Sequence, residues 1–224
     1  MNLNKLNAEL ATKTPEEIIR WAREHFGIGL VMTSSFGAES AMLLFMATKV
    51  VPQIPVILID TGYLFRATHA FKKRLRNMWN LNLKTYSAVI SPAVMEEKFG
   101  RLWEKGEAGK AHYHRIRKVR PKQRALRELG AKAVLSGVRA DQTENRSKLN
   151  TVELNPQGVY EIHPLLKWTR REIGGYFLIH ELPYHPLVER GYGSIGDTHS
   201  TVRGEGRSGR ILGARVECGV VIQK

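Results

Sequence analysis

The sequence predicts an α/β fold, an open, mostly parallel sheet with helices on both faces. Two observations carry that expectation. Short apolar runs alternate with helical patterns along most of the chain. Each run ends in a polar or glycine-containing turn, as strands do where they lead into helices. No repeat of 20–50 residues and no low-complexity segment competes with this pattern.

The elements follow in order. Thr14-Pro15-Glu16-Glu17 offers an N-cap, a proline at the first helical position and a capping-box glutamate. Ile18, Ile19, Ala22 and Phe26 then form one apolar face, and Gly27 is a natural stop. Ile28–Thr33 reads as a buried strand, followed by an almost wholly apolar helix over Ala38–Thr48. A second strand, Pro55–Ile59, leads to a helix over Arg66–Trp79 with Ala67, Phe71, Leu75, Met78 and Trp79 on one side. Further strands are expected at Leu83–Ser87, Ala133–Ser136 and Val159–Pro164, and further helices at Gln123–Leu129 and from Thr169 to about Leu182.

The 224 residues are expected to form a single domain. It comprises an N-terminal helical segment (1–27), a nucleotide-binding α/β core (28–190) and a tail (191–224) that reads as irregular or mobile. Seven glycines lie between Gly191 and Gly213, interspersed with Arg203, Arg207 and Arg210, and the tail carries the only cysteine, Cys218. One cysteine excludes an intrachain disulfide and any four-cysteine metal site, and favours a reducing cytoplasm. No signal-peptide core opens the chain, and its apolar runs fall short of the ~20 residues that span a bilayer.

The formal net charge of +14 attracts anions. Residues 101–148 hold fourteen Lys/Arg against five Asp/Glu, densest over Arg115–Lys122. That run suits a phosphate cradle or a nucleic-acid stripe, and equally a solvated face. His112 and His114 read as surface residues, and the eight histidines have no zinc-ligand spacing.

Three strand-end loops carry suitable chemistry. Thr33–Ser40 is rich in small hydroxyl residues and could face an anion or simply cap a helix, though it lacks both the Walker and the dinucleotide glycine patterns. Asp60-Thr61-Gly62 could accept a ribose or adenine hydrogen bond, or act as a cap. Gly137-Val138-Arg139, with Gln142 and Arg146 downstream, suits phosphate or sulfate recognition, with solvated arginines as the plainer alternative. Cys218 is either a small buried hydrophobe or a thiol activated by nearby cations.

In order, these pieces resemble the sulfonucleotide reductases, specifically the thioredoxin-dependent phosphoadenylyl-sulfate (PAPS) reductases. The stretches that carry the resemblance are Ser34–Ser40, Ile59–Phe65, Gly137–Gln142, Tyr184–Leu187, Gly191–His199 and Glu217-Cys218-Gly219. The resemblance implies an adenine-nucleotide α-hydrolase-like sheet. It places Ser34, Ser35, Phe36, Gly37 and Ser40 on the phosphosulfate, and Asp60, Thr61 and Gly62 at adenosine. Gly137, Arg139 and Arg146 would form an arginine loop, Lys118 a substrate-facing lysine, and Arg207 and Arg210 a tail pair. Cys218 would be the nucleophile that takes up the sulfonate, and reduced thioredoxin or glutaredoxin would then release sulfite.

The adenylyl-sulfate branch of the family usually holds a [4Fe–4S] cluster, whose first cysteine pair would align near Tyr113-His114. A single cysteine rules the cluster out, so the resemblance implies no bound cofactor or metal and favours PAPS. It also implies a cytoplasmic homodimer in sulfate assimilation, with no nucleic-acid or membrane partner. Three departures stand out: Val221 replaces the family's tail histidine, Gly206 an acidic residue before Arg207, and Ile211 a tryptophan. The alternatives are a cluster-free adenylyl-sulfate reductase, an ATP pyrophosphatase-type thiolation or adenylating enzyme, and a nucleic-acid binder. Phe36 and Glu39 interrupt the S-G-G-x-D-S pattern of the pyrophosphatases.

Overall fold

The computed structural model describes residues 2–210. The expected roles of Ile211, Cys218 and Val221 fall outside the described residues. Two helices open the chain, α1 (Leu3–Leu10) and α2 (Pro15–Phe26). The units β1 (Leu30–Thr33), α3 (Ser40–Val50), β2 (Val56–Asp60), α4 (Arg66–Trp79) and β3 (Leu83–Ser87) follow. Next come α5 (Pro92–Phe99), α6 (Gly106–His114), α7 (Arg120–Glu128), β4 (Ala133–Leu135) and the single turn α8 (Glu144–Ser147). Strands β5 (Val152–Leu154) and β6 (Tyr160–Ile162) and helix α9 (Arg170–Ile179) close the regular structure.

The six strands lie in the order β3-β2-β1-β4-β6-β5, parallel except for β5, which runs antiparallel to β6. Side chains alternate across the pleat. Leu30, Met32, Leu58, Leu135 and Ile162 join the main core, together with residues of α2, α3, α4 and α9. Val31, Ile57 and Val134 pack on the other face against Ala125 and Leu126 of α7. Helices thus cover both faces, as the alternating pattern predicts. Successive strands step outward in opposite directions from β1 and β4, so the crevice between the loops after these two strands is where such sheets bind ligands.

Both expected capping boxes form. The Glu17 backbone N–H donates to Thr14 Oγ1 and Thr14 N–H to Glu17 Oε2, and Thr169 and Glu172 repeat the pattern. Other elements differ from expectation. Ile28 lies in a 3-10 turn and is 90% exposed, so β1 starts at Leu30. Met78 is half exposed, because α4 buries only the stripe Thr68, Phe71 and Leu75. Helices α6 and α7 run on through a π-helical stretch, Arg115–Val119. Pro121 has no N–H for the Arg117 carbonyl, and the wider turn, with Arg120 N–H donating to Arg115 O, accommodates it.

Residues 191–210 hold no long helix or strand, yet they tie back on themselves. Gly193 N–H donates to Gly204 O, Gly204 N–H donates to Gly191 O, and Val202 N–H donates to Gly209 O. A Cβ at Gly193, Gly204 or Gly209 would approach backbone to 2.5, 2.8 and 2.3 Å, so these glycines are needed for close contact. No helix of the described residues is long and apolar enough to cross a membrane.

Candidate active site

The loop after β1 crosses the crevice. Ser34 N–H donates to Ile57 O of β2, and Ser34 Oγ accepts from Phe36 N–H. Phe36 adopts φ +50° and its ring is fully buried in the main core. Its expected place on the substrate is therefore limited to its main chain: the ring anchors the loop. Ser35 is exposed, and Gly37 lies so close to the carbonyl of Ile195 that a Cβ there would be crowded at 3.2 Å from its oxygen. Ser40 begins α3, whose N-terminal end carries the positive pole of its dipole.

Glu39 in this loop ion-pairs with Arg139 after β4, which also donates Nε to Asp141 Oδ1 at 3.0 Å. The first and third loops are thereby joined across the crevice. Burial works to lower the Arg139 pKa, but the two carboxylates reverse it and hold the guanidinium charged. Arg146 is buried and bonds to Gln142, whose side chain also accepts from Arg139 N–H. Both arginines are thus part of a built polar wall, and the solvated-arginine alternative does not hold. A Cβ at Gly137 would only touch Leu43 at 3.7 Å, so nothing in its surroundings demands glycine.

The second loop converges on a residue to which sequence reasoning gave no role. Asp197 is 1% exposed. Its carboxylate meets Lys118 Nζ at 2.7 Å, Thr61 Oγ1 at 2.5 Å and Tyr113 Oη at 3.1 Å. Burial pushes this carboxyl up, and the Lys118 ammonium with the hydrogen bonds overrides it, leaving the pKa at about 2. Thr61 is consequently a buried support. Asp60 accepts from Gly62 N–H in a tight turn where Gly62 has φ +79°.

Arg210 reaches the same place. Its Nη1 donates to Thr201 Oγ1 at 2.9 Å, and its guanidinium lies so close to Gly196 that a Cβ there would sit 1.8 Å from Nη1. Segment 195–197 therefore touches the first loop, seats Arg210 and holds Lys118 and Thr61. Arg207 is half-buried, and its carbonyl accepts from Arg210 N–H. Cys218 lies outside the described residues.

Two expectations about the basic stretch are corrected. Arg117, Lys118 and Lys122 are buried, as are Arg139 and Arg146, so the densest run is turned largely into the fold, and only Arg115 and Arg120 of it are exposed. The π-helical turn rotates Arg117 and Lys118 inward together, and Lys122 pairs with Glu161 at 2.8 Å. His114 is also buried, not a surface residue, and burial followed by the Lys118 charge lowers its pKa to about 4. His199, likewise missed, stacks on Trp103 at 4.1 Å beside a depression of about 650 Å³. Glu96, Glu104 and Arg101 line that depression, and Arg101 is paired with Glu104, which makes it a poor seat for a phosphate. Among the described residues no group of three or more His, Cys, Asp or Glu could hold a metal ion.

The profile of the phosphoadenosine phosphosulfate reductase domain matches residues 29–203, which include all three loops and Asp197. The chain belongs to the phosphoadenosine phosphosulfate reductase family. The phosphoadenosine 5'-phosphosulfate reductase of a Synechococcus strain is 46% identical over 225 residues, covering 98% of this chain and 97% of that protein. The crystal structure of a PAPS reductase from Candida auris, a phosphate complex, superposes with a TM-score of 0.77 at 33% identity. It covers 89% of this chain and 95% of its own. An NH3-dependent NAD synthetase from Campylobacter jejuni, 15% identical with a TM-score of 0.52, covers 81% of this chain and 75% of its own and shares the fold alone. The sheet expected of this reductase family is thus the one observed.

Proposed function

We propose that this chain reduces 3'-phosphoadenylyl sulfate to sulfite and adenosine 3',5'-bisphosphate. The observation that carries the reading is the convergence of Lys118, Arg210 and the Ser34–Ser40 loop on segment 195–197. Two cations held there by buried partners suit a phosphosulfate and its developing charge. The names of the relatives, and the phosphate complex of the Candida auris protein, agree with this substrate class.

In this reading the Cys218 thiolate attacks the sulfur of the sulfate group. The bond from that sulfur to the bridging oxygen breaks, and adenosine 3',5'-bisphosphate leaves with the electron pair. A thiolate of reduced thioredoxin or glutaredoxin then attacks the Cys218 sulfur, and sulfite leaves with its electron pair. The partner's second thiol resolves the mixed disulfide, so the dithiol is oxidised and Cys218 is regenerated. The chain has one cysteine, so the second and third sulfurs must come from a partner. Homodimerisation and a cytoplasmic site belong to the same reading.

Incubation with PAPS or adenylyl sulfate, without reductant, followed by intact mass measurement tests it. A sulfonate adduct is expected on the wild type and not on Cys218→Ser, and PAPS is expected to react in preference. No adduct with either nucleotide overturns the reading.

Gly196 gives a separate expectation. In Gly196→Ala the new methyl displaces the Arg210 guanidinium, the far end of a flexible side chain, so the fold stays intact. Loss of one charge-assisted contact of about 1.5–3 kcal/mol weakens adenosine 3',5'-bisphosphate binding by roughly 10–100-fold. Calorimetric titration of the variant, with an unchanged urea midpoint as control, checks both halves.

A further inference from the structure

Between Asp60 and Glu96 the chain carries six Lys/Arg and no Asp/Glu. Five of the six, Arg66, Lys72, Lys73, Arg74 and Arg76, lie on α4. The helix buries Thr68, Phe71 and Leu75, and turns Arg66, Lys73, Arg74 and Arg76 outward, with Lys72 half-buried on the flank. None of the five makes an ion pair among the described residues. The basic stretch 101–148 is different, since five of its cations are buried inside the fold.

Of the five cations only Arg76, in the last turn, suits the helix's own dipole. Lys72 and Arg76, four residues apart, repel each other, and Arg66 sits in the first turn, at the positive end of the dipole. The pattern therefore costs some helix stability and points outward, to a partner.

Its position suggests which one. Helix α4 starts at the rim of the site: Leu64 bridges to Asp197, and Phe65 packs on Tyr192. Its fourteen residues extend about 21 Å from there. Cys218 is eight residues beyond Arg210, and eight residues span at most about 29 Å. A protein seated on α4 is within reach of that thiol.

We propose that the outer face of α4 docks the acidic dithiol protein whose thiolate attacks the Cys218 sulfur and displaces the sulfonate as sulfite. The proposal rests on the reductase reading. Complementary charge of this kind acts chiefly on the association rate and is screened by salt. A nucleic acid would also be drawn to the face, but it brings no thiol to the rim where one is required.

The test separates the two half-reactions. Enzyme S-sulfonated by PAPS is mixed with a reduced thioredoxin of net negative charge, and sulfite release is followed at increasing NaCl. The wild-type rate is expected to fall steeply with salt. Lys73→Glu/Arg74→Glu/Arg76→Glu is expected to be roughly tenfold slower at low salt, with a flattened salt slope. The matching Gln variant should fall between them. Sulfonation by PAPS and release by dithiothreitol should be unchanged in both. Wild-type rate and slope in the Glu variant overturn the proposal, as does an equal loss with dithiothreitol. So does an unmoved thioredoxin rate accompanied by lost binding to duplex DNA, which would identify a nucleic-acid face. Absence of any adduct on the wild type overturns the reductase reading itself, and this proposal with it.

Discussion

Asp197→Asn is expected to lower stability by about 3–5 kcal/mol, because it leaves Lys118 buried opposite a neutral amide. A domain of ordinary stability, about 5–15 kcal/mol, survives this loss only in part. Urea denaturation at pH 7.5 measures it. The same change removes the anchor that sets the Lys118 ammonium, and a displacement of the order of 1 Å at a catalytic position costs about 100-fold in rate. The two effects can be told apart with Asp197→Leu/Lys118→Met, which replaces the buried pair by apolar groups of similar size. The double variant should regain more than half of the lost stability. Thr61 and Tyr113 lose their acceptor in it, which keeps the recovery incomplete. Formation of the Cys218 adduct should not recover, because the cation itself is gone. Wild-type stability in Asp197→Asn would show that the Lys118 contact carries no weight.

This contact illustrates what the sequence could and could not show. Strands β1, β2 and β4 were legible because each is a short, mostly apolar run ending in a polar turn, whereas β3 and β6 carry Lys84 and Glu161 and were legible through the β-formers Thr85, Tyr86, Tyr160 and Ile162. Helices α2 and α9 were legible through their capping boxes. Helix α1 buries only Leu6 and Leu10, and α5 only Met95, so neither shows a periodic face long enough to recognise. Strand β5 has three residues with one buried, too few for alternation to register. The site divides in the same way. The loops are local and their residue types are visible, whereas pairing is not: Arg139 finds Glu39 a hundred positions away, and Lys118 finds Asp197 across the fold. Without the partners, a buried cation and a solvated one look alike in sequence. The dense run over Arg115–Lys122 therefore suggested a surface, although three of its five cations are buried.

Acid should destabilise the fold well before its carboxylates titrate. His114, His163 and His185 are each at most 4% exposed. Burial lowers all three, to about 4, about 3 and about 4, with the charge of Lys118 adding to the effect at His114 and those of Lys122 and Arg146 at His163. Each is neutral in the folded chain and takes up a proton near pH 6.5 in the unfolded one. The unfolded state therefore binds more protons below about 6.5, so stability is fully present above that pH and falls as pH drops toward 3–4. With three such groups the slope approaches at most about 4 kcal/mol per pH unit near pH 5. Asp197 contributes nothing in that window, since its folded pKa of about 2 lies below its ordinary value of 3.8 and its stabilisation is lost only as pH falls through that lower range. His163 is the place to intervene. Neither ring nitrogen has a hydrogen-bond partner among the described residues, whereas His185 accepts from Leu187 N–H and meets Thr68 Oγ1. His163→Leu removes two unpaired polar atoms and one of the three protons. It should raise the urea midpoint at pH 7.5 and reduce the acid slope by about a third between pH 6 and 4.5. An unchanged slope would mean that His163 is not titrating with unfolding. A lower midpoint at every pH would mean that its ring is held by bonds that leucine cannot replace.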